Sequence, residues 1–185
     1  NLGLIWPDLP PARVEALVEA VCDNVGRTLA ELYSPAEFKA RVANSPIIGN
    51  GLTDILQARE RGQPVILVSG HFGNHDIARA VLAGQGLAVG ALYKPQRNPY
   101  VERHFRATIG AISEPIFARG RQGLGQMVQH LRGGGILGIL IDQHMHHGAA
   151  LTFMGHRALT ATSAADLALK YKALLIPVYG IRQPD

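Results

Sequence analysis

The segment SGHFGNHDIARA, residues 69–80, holds side chains that are able to perform acid–base chemistry. His71 precedes Asp76 by five positions, and Gly73 gives the intervening turn conformational freedom. A helix is expected to begin near Asn74, which puts the histidine in the preceding turn and the aspartate in the first turn. A carboxylate that orients an imidazole and stabilises its protonated form makes that ring a general base. The sequence therefore predicts that Asp76 orients His71, which removes a proton from a hydroxyl group.

A metal site is an alternative use of the same histidines. His71 and His75 are four residues apart, and the later segment HMHHG adds His144, His146 and His147. This spacing suits two ligands on one face of a helix, but His71 is expected to precede the helix. The glutamate that usually follows the first histidine of such sites is also missing. We therefore expect no bound metal and a polar loop at 144–147, while a zinc-dependent hydrolase stays open as an alternative.

The sequence contains no recognisable nucleophile motif. It has neither a G-x-S-x-G segment nor a G-x-G-x-x-G segment that opens a helix after a strand. The single cysteine, Cys22, allows no internal disulfide, and its apolar helical surroundings predict a buried side chain. A base without a nucleophile indicates direct transfer to a substrate hydroxyl, without a covalent intermediate.

The elements around these residues predict an α/β domain. Apolar strands alternate with helices in the second half of the chain, which favours a largely parallel or mixed central sheet flanked by helices. A helical segment precedes this part. The predicted strands are 64–70, 86–93, 136–142 and 174–180, and the predicted helices are 11–32, 35–42, 51–61, 76–82, 99–109, 122–132 and 163–173.

Three polar clusters follow predicted strands, at His71–Asp76, Tyr93–Asn98 and Asp142–His147. Ligands of open α/β sheets bind beyond the carboxyl ends of the strands, so we expect the three clusters to converge there.

The composition sets wider limits. The chain has 185 residues, of which 47% are hydrophobic and 17% charged, and this excludes an intrinsically disordered chain. A net charge of +4 makes an anionic partner plausible. No apolar run is long enough to span a membrane. The chain starts without methionine and stops after an apolar run, so we expect residues 1–185 to be a single domain from a longer protein.

Four segments carry a resemblance to a known family: GHFGNHD, YKPQRNPYVERHFR, LRGGGILGILIDQ and LTFMGHRALTATSAADLALKYKALLIPVY. Together they resemble the late acyltransferases of lipid A biosynthesis, the lauroyl- and myristoyltransferases of the lysophospholipid acyltransferase superfamily. The resemblance implies a glycerolipid-acyltransferase-like fold and an N-terminal membrane anchor and C-terminal sequence beyond this segment. It also implies a location at the cytoplasmic face of the bacterial inner membrane.

The resemblance further implies a donor, an acceptor and partners. The donor is an acyl carrier protein thioester, and the acceptor is a hydroxyl of a lipid A precursor or a related anionic glycolipid. The membrane surface is a further partner, and neither a cofactor nor a nucleic acid is expected. A non-catalytic glycolipid-binding module is the other alternative to the acyltransferase.

The resemblance assigns roles residue by residue. His71 and Asp76 match the family's His-x-x-x-x-Asp/Glu motif and take the roles of base and orienter. Asp142 and Gln143 match an Asp-Gln pair after an apolar strand and shape the active-site cleft. Asn98 belongs to the ordered set that makes the resemblance specific, and it is expected to bind substrate together with these two residues.

Charge develops on the thioester oxygen during such a transfer, and four residues could stabilise it: Gly73, Asn74, Lys94 and Arg97. Lys94 stands where the family often has arginine, so it offers a point charge instead of a bidentate fork. Further arginines could bind lipid phosphates or an acidic carrier protein, namely Arg103, Arg106, Arg119 and Arg121. Apolar residues could line an acyl slot or pack in the core, namely Leu92, Ile116, Phe117, Phe153 and Met154.

Overall fold

The computed structural model describes residues 1–183, which form eight helices and seven strands. The helices are α1 (Leu2–Ile5), α2 (Pro11–Tyr33), α3 (Pro35–Val42), α4 (Gly51–Glu60), α5 (Ile77–Gly84), α6 (Pro99–Ile112), α7 (Arg121–Arg132) and α8 (Ser163–Tyr171). The strands are β1 (Val65–Ser69), β2 (Val89–Tyr93), β3 (Ile116–Ala118), β4 (Ile136–Leu140), β5 (Ala149–Phe153), β6 (His156–Thr160) and β7 (Leu174–Pro177).

Five strands form one parallel sheet in the order β3-β2-β4-β1-β7. The predicted α/β class is therefore confirmed. Strand β1 shows why these sequences form such a sheet, because its segment VILVS is almost fully buried and has no polar face to turn to solvent.

Two apolar clusters cover the two faces of the sheet. Alternate residues of β1 point to opposite faces, so Val65 and Leu67 join one cluster and Ile66 joins the other. Helix α4 contributes Ile55 to the first cluster, and helix α7 contributes Leu131 to the second. The central strands are thus fixed on both sides, which gives the loops at their carboxyl ends a rigid base.

Strand β4 lies between β1 and β2, so the connection that leaves β1 must pass β4 before the chain re-enters the sheet. The register pairs Ser69 of β1 with Leu140 of β4. The carboxyl ends of these two strands therefore lie next to each other, at the position where ligands bind in such sheets.

The two-stranded sheet of β5 and β6 was not predicted from the sequence. Its turn has Met154 at φ 50° and Gly155 at φ 80°, and two positive φ angles are typical of a type I′ hairpin turn. Methionine rarely occupies such a position, so the sequence lacked the usual signal of asparagine or aspartate before glycine. The short edge strand β3 was also missed.

Helix α2 has the predicted amphipathic pattern, but its apolar face is not buried. Val18, Val21, Val25 and Leu29 all remain about half exposed. Cys22 is exposed as well, so the prediction of a buried cysteine is wrong. The reason is that no element of the described chain covers this face of the helix. Over residues 1–183, no helix combines the length and apolarity that crossing a membrane requires.

Candidate active site

The turn between β1 and α5 carries His71. Asn74 is buried there, and its Oδ1 accepts a hydrogen bond from the backbone N–H of Asp76 at 3.0 Å. Gly73 adopts φ 56°, and the carbonyl oxygen of Gly180 occupies the space where a Cβ would lie. Only glycine fits this position, because the left-handed conformation and the close backbone both exclude a side chain.

A carboxylate from the neighbouring strand holds the His71 ring. Nδ1 of His71 lies 2.8 Å from Oδ1 of Asp142, and the backbone N–H of His71 donates to the other oxygen, Oδ2, at 2.7 Å. Both carboxylate oxygens therefore contact one residue, which fixes the ring orientation. Gly70 permits this approach, since a Cβ there would lie 3.1 Å from Oδ2.

The charge of Asp142 decides which nitrogen of the His71 ring carries the proton in the neutral imidazole. Partial burial favours the neutral acid, but hydrogen bonds from the ring and backbone of His71 outweigh it and lower the pKa of Asp142 below its usual 3.8. An ionised carboxylate only accepts hydrogen bonds, so Nδ1 of His71 must carry the proton. The lone pair of the neutral ring is then on Nε2, and a substrate can reach the side chain, which is 43% exposed.

Within the described part of the chain, no hydrogen bond or ion pair joins Asp76 to the His71 ring, contrary to the sequence prediction. Its Oδ1 accepts a hydrogen bond from Nη1 of Arg79 at 2.7 Å, and both side chains are nearly buried. Asp76 immediately precedes α5, so the arginine one turn later is its nearest cation. The expected contact is therefore wrong, whereas a role for Asp76 in catalysis stays a prediction.

Arg79 connects this ion pair to the rest of the domain, and it was not among the predicted site residues. Its Nη2 donates to the carbonyl oxygen of Ser113 at 2.6 Å, and Nε lies 3.5 Å from the carbonyl oxygen of Val89. The i, i+3 spacing from Asp76 at a helix start was the available signal. The turn that carries His71 is thus connected to the start of β2 and the end of α6.

His75 lies beside His71. Its ring packs edge-on to that of His71 with 5.2 Å between the centroids. Burial lowers the pKa of His75 below its usual 6.5. His75 is therefore neutral at pH 7 and adds no positive charge beside His71.

The segment after β2 is held by a glutamate. Oε1 of Glu102 accepts from the hydroxyl of Tyr93 at 2.7 Å, and Oε2 accepts from the backbone N–H of Gln96 at 2.7 Å. Oδ1 of Asn98 accepts from the backbone N–H of Tyr100 at 2.9 Å and so caps α6. The predicted substrate-binding Asn98 thus has a structural role at the start of this helix.

Lys94 and Arg97 belong to the same segment, and both are exposed. Strand β2 ends at the same edge of the sheet as β1, since the strands are parallel. Among the described residues, no hydrogen bond or ion pair joins either cation to His71 or Asp142. Their predicted role in binding substrate stays a prediction.

The loop after β4 presents Gln143 and the three histidines to solvent. The rings of His144 and His146 pack edge-on with 5.0 Å between centroids, and the backbone N–H of Met145 donates to Leu159 of β6. In the part of the chain that the structure describes, no group of three or more histidine, cysteine, aspartate or glutamate residues is arranged to hold a metal ion.

The five apolar residues that were candidates for an acyl slot do not form one cluster. Phe117 is buried in the core with residues of α7, whereas Phe153 and Met154 are at least half exposed on the hairpin. Leu92 is 40% exposed. Phe117 therefore packs in the core, which was one of the two predicted roles, whereas Phe153 and Met154 lie on the surface.

Glu31 of α2 is a further residue near the site that was not predicted from the sequence. Its Oε2 accepts from Nδ2 of Asn74 at 2.8 Å, although 43 residues separate the two in the sequence. The carboxylate is buried on a helix that otherwise exposes its acidic residues. No local pattern marks such a position, because its partners come from distant parts of the chain.

Comparisons with known proteins give the family of this chain. Residues 1–185 match the family described as bacterial lipid A biosynthesis acyltransferase. A relative named lipid A biosynthesis acyltransferase, from Haemophilus influenzae, is 28% identical over 131 residues, which are 70% of this chain and 41% of that protein. The chain thus spans less than half the length of this relative. Because the family match extends over the whole chain, the chain belongs to the bacterial lipid A biosynthesis acyltransferase family.

Proposed function

We propose that this chain is the acyl-transfer part of an enzyme that moves a fatty acyl chain from an acyl carrier protein thioester to a hydroxyl of a lipid A precursor or related glycolipid. Membership of the family supports acyltransferase activity. The observation that carries the proposal is the hydrogen-bonded pair of His71 and Asp142 at the carboxyl ends of adjacent strands.

The pair has the properties of a general base. Nε2 of His71 takes the proton of the acceptor hydroxyl while the hydroxyl oxygen attacks the carbonyl carbon of the thioester. Asp142 stabilises the imidazolium that forms. The tetrahedral intermediate then collapses, the carbon–sulfur bond breaks, and the imidazolium returns its proton to the leaving thiolate. The products are an ester and a free thiol, so no covalent enzyme intermediate is needed.

Stabilisation of the oxyanion requires donors near the thioester oxygen. The backbone N–H groups of Gly73 and Asn74 belong to the turn that carries His71, and we propose them as donors. Lys94 and Arg97 are proposed to bind anionic parts of the substrates from the neighbouring segment. Gln143 follows Asp142 directly and is proposed to line the cleft.

Surface charge supports the proposed partners. Arg103 and Arg106 of α6, together with Arg119 and Arg121 near β3, are exposed, and the chain carries a net charge of +4. Acidic carrier proteins and lipid phosphates both bind exposed guanidinium groups. We propose that this region of α6 and β3 faces the donor or the head group of the acceptor.

We also propose that the protein works at the cytoplasmic face of the bacterial inner membrane. The support is the half-exposed apolar row of α2, which comprises Val18, Val21, Val25 and Leu29. Such residues are stabilised when they leave water for the apolar boundary of a lipid surface. A lipid acceptor would be met at the same surface.

The test is an acyl-transfer assay with the purified full-length protein, acyl carrier protein or coenzyme A thioesters, and a lipid A precursor. His71→Ala is expected to lower the rate by about 10²–10⁴-fold, because it removes the base. His156→Ala is the matched control, since this histidine lies on β6 of the hairpin and, among the described residues, no hydrogen bond or ring contact joins it to His71 or Asp142. Its rate is expected to equal that of the unchanged protein.

Other outcomes identify the alternatives. Equal transfer by His71→Ala at equal folding contradicts the base and favours a glycolipid-binding module or another catalytic centre. Activity that a chelator abolishes and zinc restores favours the zinc-dependent hydrolase. Mass spectrometry of lipids from cells with and without the full-length protein identifies the acyl chain and the acceptor.

A further inference from the structure

A buried carboxylate outside the catalytic pair contacts the turn that carries the base. Both oxygens of Glu31 are engaged by Arg182, at 2.7 Å from Nη1 to Oε1 and 2.9 Å from Nη2 to Oε2. Nη1 of Arg41 lies 3.5 Å from Oε1. Oε2 also accepts from Nδ2 of Asn74 at 2.8 Å. The Glu31 side chain therefore joins four parts of the chain: helix α2, helix α3, the segment after β7, and the turn at residues 70–76 that carries His71, called here the catalytic turn.

Asn74 passes this contact on to the active site. Its Nδ2 binds Glu31, and its Oδ1 accepts from the backbone N–H of Asp76, so the amide has one fixed orientation. The N–H of Ile77 donates to the carbonyl oxygen of Asn74 at 3.2 Å. Fixing this side chain therefore fixes the backbone from Asn74 to the first turn of α5, directly after the segment that carries His71.

A second contact from the same helix supports this arrangement. The hydroxyl of Thr28, three residues before Glu31, lies 3.3 Å from the carbonyl oxygen of Gly73, while its shorter contact, at 2.9 Å, is with the carbonyl oxygen of Asn24 in its own helix. On the opposite side, the backbone at Gly180 packs against Gly73. The catalytic turn thus lies between α2 and the segment that follows β7.

We propose that Glu31 is a positioning residue for acyl transfer: it holds Asn74, and through it the turn that carries His71 and Asp76. This inference rests on the proposed function only where kcat of acyl transfer is measured; the hydrogen-exchange measurement below does not depend on it. Glu31 touches neither substrate nor the base, so it acts through Asn74. A rotation of that amide would displace the backbone donors beside the base, and displacements of about 1 Å are enough to lower turnover by up to about 10²-fold.

The charge on Glu31 is essential to this arrangement. Hydrogen bonds from Arg182 are the largest cause that lowers the pKa of Glu31 below its usual 4.5, and they outweigh the effect of burial. A carboxylate only accepts hydrogen bonds, so it satisfies Arg182 and Asn74 together. A glutamine at this position has one oxygen and one NH₂ group, so its NH₂ group would face the donor of either Asn74 or Arg182.

The experiment is a reciprocal exchange between the two residues. Glu31→Gln places an amide donor against the amide of Asn74, and Asn74→Asp places a second carboxylate against Glu31. Each single change is expected to lower kcat by about 10–100-fold with KM nearly unchanged. In Glu31→Gln/Asn74→Asp, the new amide donates to the new carboxylate, so kcat is expected to exceed that of either single variant by about fivefold or more.

Glu37→Gln is the matched control. Glu37 is exposed on α3 and lines the same cavity of about 590 Å³ as Glu31 and Asn74. This change removes the same charge without touching the catalytic turn, so kcat is expected to stay unchanged. If Glu31→Gln does not fold, Glu31→Asp keeps the charge but draws the carboxylate away from Asn74, and kcat is expected to fall about threefold.

Hydrogen exchange separates this inference from the proposed function. Exchange of the amides in residues 70–77 is expected to accelerate in both single variants and to slow again in the double variant, while amides of β4 stay protected. Unchanged exchange at 70–77 in the single variants overturns the inference, even if the protein transfers no acyl group. Unchanged kcat in Glu31→Gln, or a double variant no better than the single ones, overturns it as well.

Discussion

His71 and Asp142 each lie two residues beyond a directly paired position of adjacent parallel strands. Ser69 of β1 pairs with Leu140 of β4, and the N–H of Ile141 donates to the carbonyl oxygen of Ser69 at 3.0 Å. The two chains therefore leave the sheet side by side. The carboxylate meets the imidazole because of strand register, although 71 residues separate them in the sequence.

Asp142→Asn is expected to lower kcat by about 10²–10⁴-fold with little change in KM. The amide keeps the shape of the side chain but loses the charge that stabilises the imidazolium. It also presents a donor that can favour the wrong tautomer of His71. Steady-state acyl transfer by the folded variant is the measurement.

Asp76→Asn is the matched comparison, because the sequence pattern assigns the orienting role to Asp76. The structure pairs Asp76 with Arg79, so this variant is expected to lose stability more than kcat. If Asp76→Asn lost most of its kcat while Asp142→Asn kept nearly normal turnover, Asp76 and not Asp142 would be the residue that orients His71 during transfer.

The sequence was sufficient to predict elements whose signal is local. The apolar run at β1 and the helical period of α7 depend only on neighbouring residues, and the structure has both elements. The gathering of His71 and Asp142 at one edge also followed from the rule for parallel strands. That rule predicts the edge of the sheet at which His71 lies, but it does not predict which carboxylate contacts the ring.

The remaining features depend on distant residues. Choosing Asp142 over Asp76 required the strand order, because β4 had to lie directly beside β1. The burial of Glu31 depends on Arg182 near the other end of the chain. Helix α2 has a regular apolar period, but the period does not reveal that the apolar face stays exposed.

Gly70→Ala is expected to lower kcat about tenfold while the fold persists. The new Cβ would lie 3.1 Å from Oδ2 and 3.2 Å from Cγ of Asp142, so the carboxylate must move by a few tenths of an ångström. The movement weakens its hydrogen bonds to His71. Turnover and thermal unfolding of the same preparation are the measurements.

Gly125→Ala is the control for this change. Gly125 lies inside α7, and a Cβ there would meet nothing within 4 Å. Alanine favours the helix by up to about 1 kcal/mol, so stability is expected to rise slightly and turnover to stay constant. Equal turnover of the two variants would contradict the role assigned to Gly70.

Arg79→Met is expected to lower the free energy of unfolding by about 3–5 kcal/mol. The change leaves nearly buried Asp76 without its cation and the carbonyl oxygen of Ser113 without its donor. Urea denaturation measures the loss. Asp23→Asn is the control, since it breaks an exposed pair with Arg27 that is worth at most about 1 kcal/mol. Similar losses in both variants would contradict the importance of the buried pair.

His75 is expected to make the protein less stable in mild acid. Burial lowers its pKa in the folded state below the usual 6.5, so the unfolded chain binds a proton more readily than the folded protein does. The contribution of neutral His75 to the free energy of unfolding is therefore fully present above about pH 6.5. It is lost as the pH falls through the folded-state pKa. Protonation would also place a positive charge beside His71, since the two rings are 5.2 Å apart.

His75→Gln isolates this effect from the titration of carboxylates. The free energy of unfolding is measured by urea denaturation at about pH 7.5 and about pH 5.5, on either side of the usual histidine pKa. The unchanged protein is expected to lose more stability between these two values than the variant does, because only the unchanged protein must protonate a buried ring in acid. An equal loss in both proteins would mean that His75 titrates normally, and the acid sensitivity would then come from other groups.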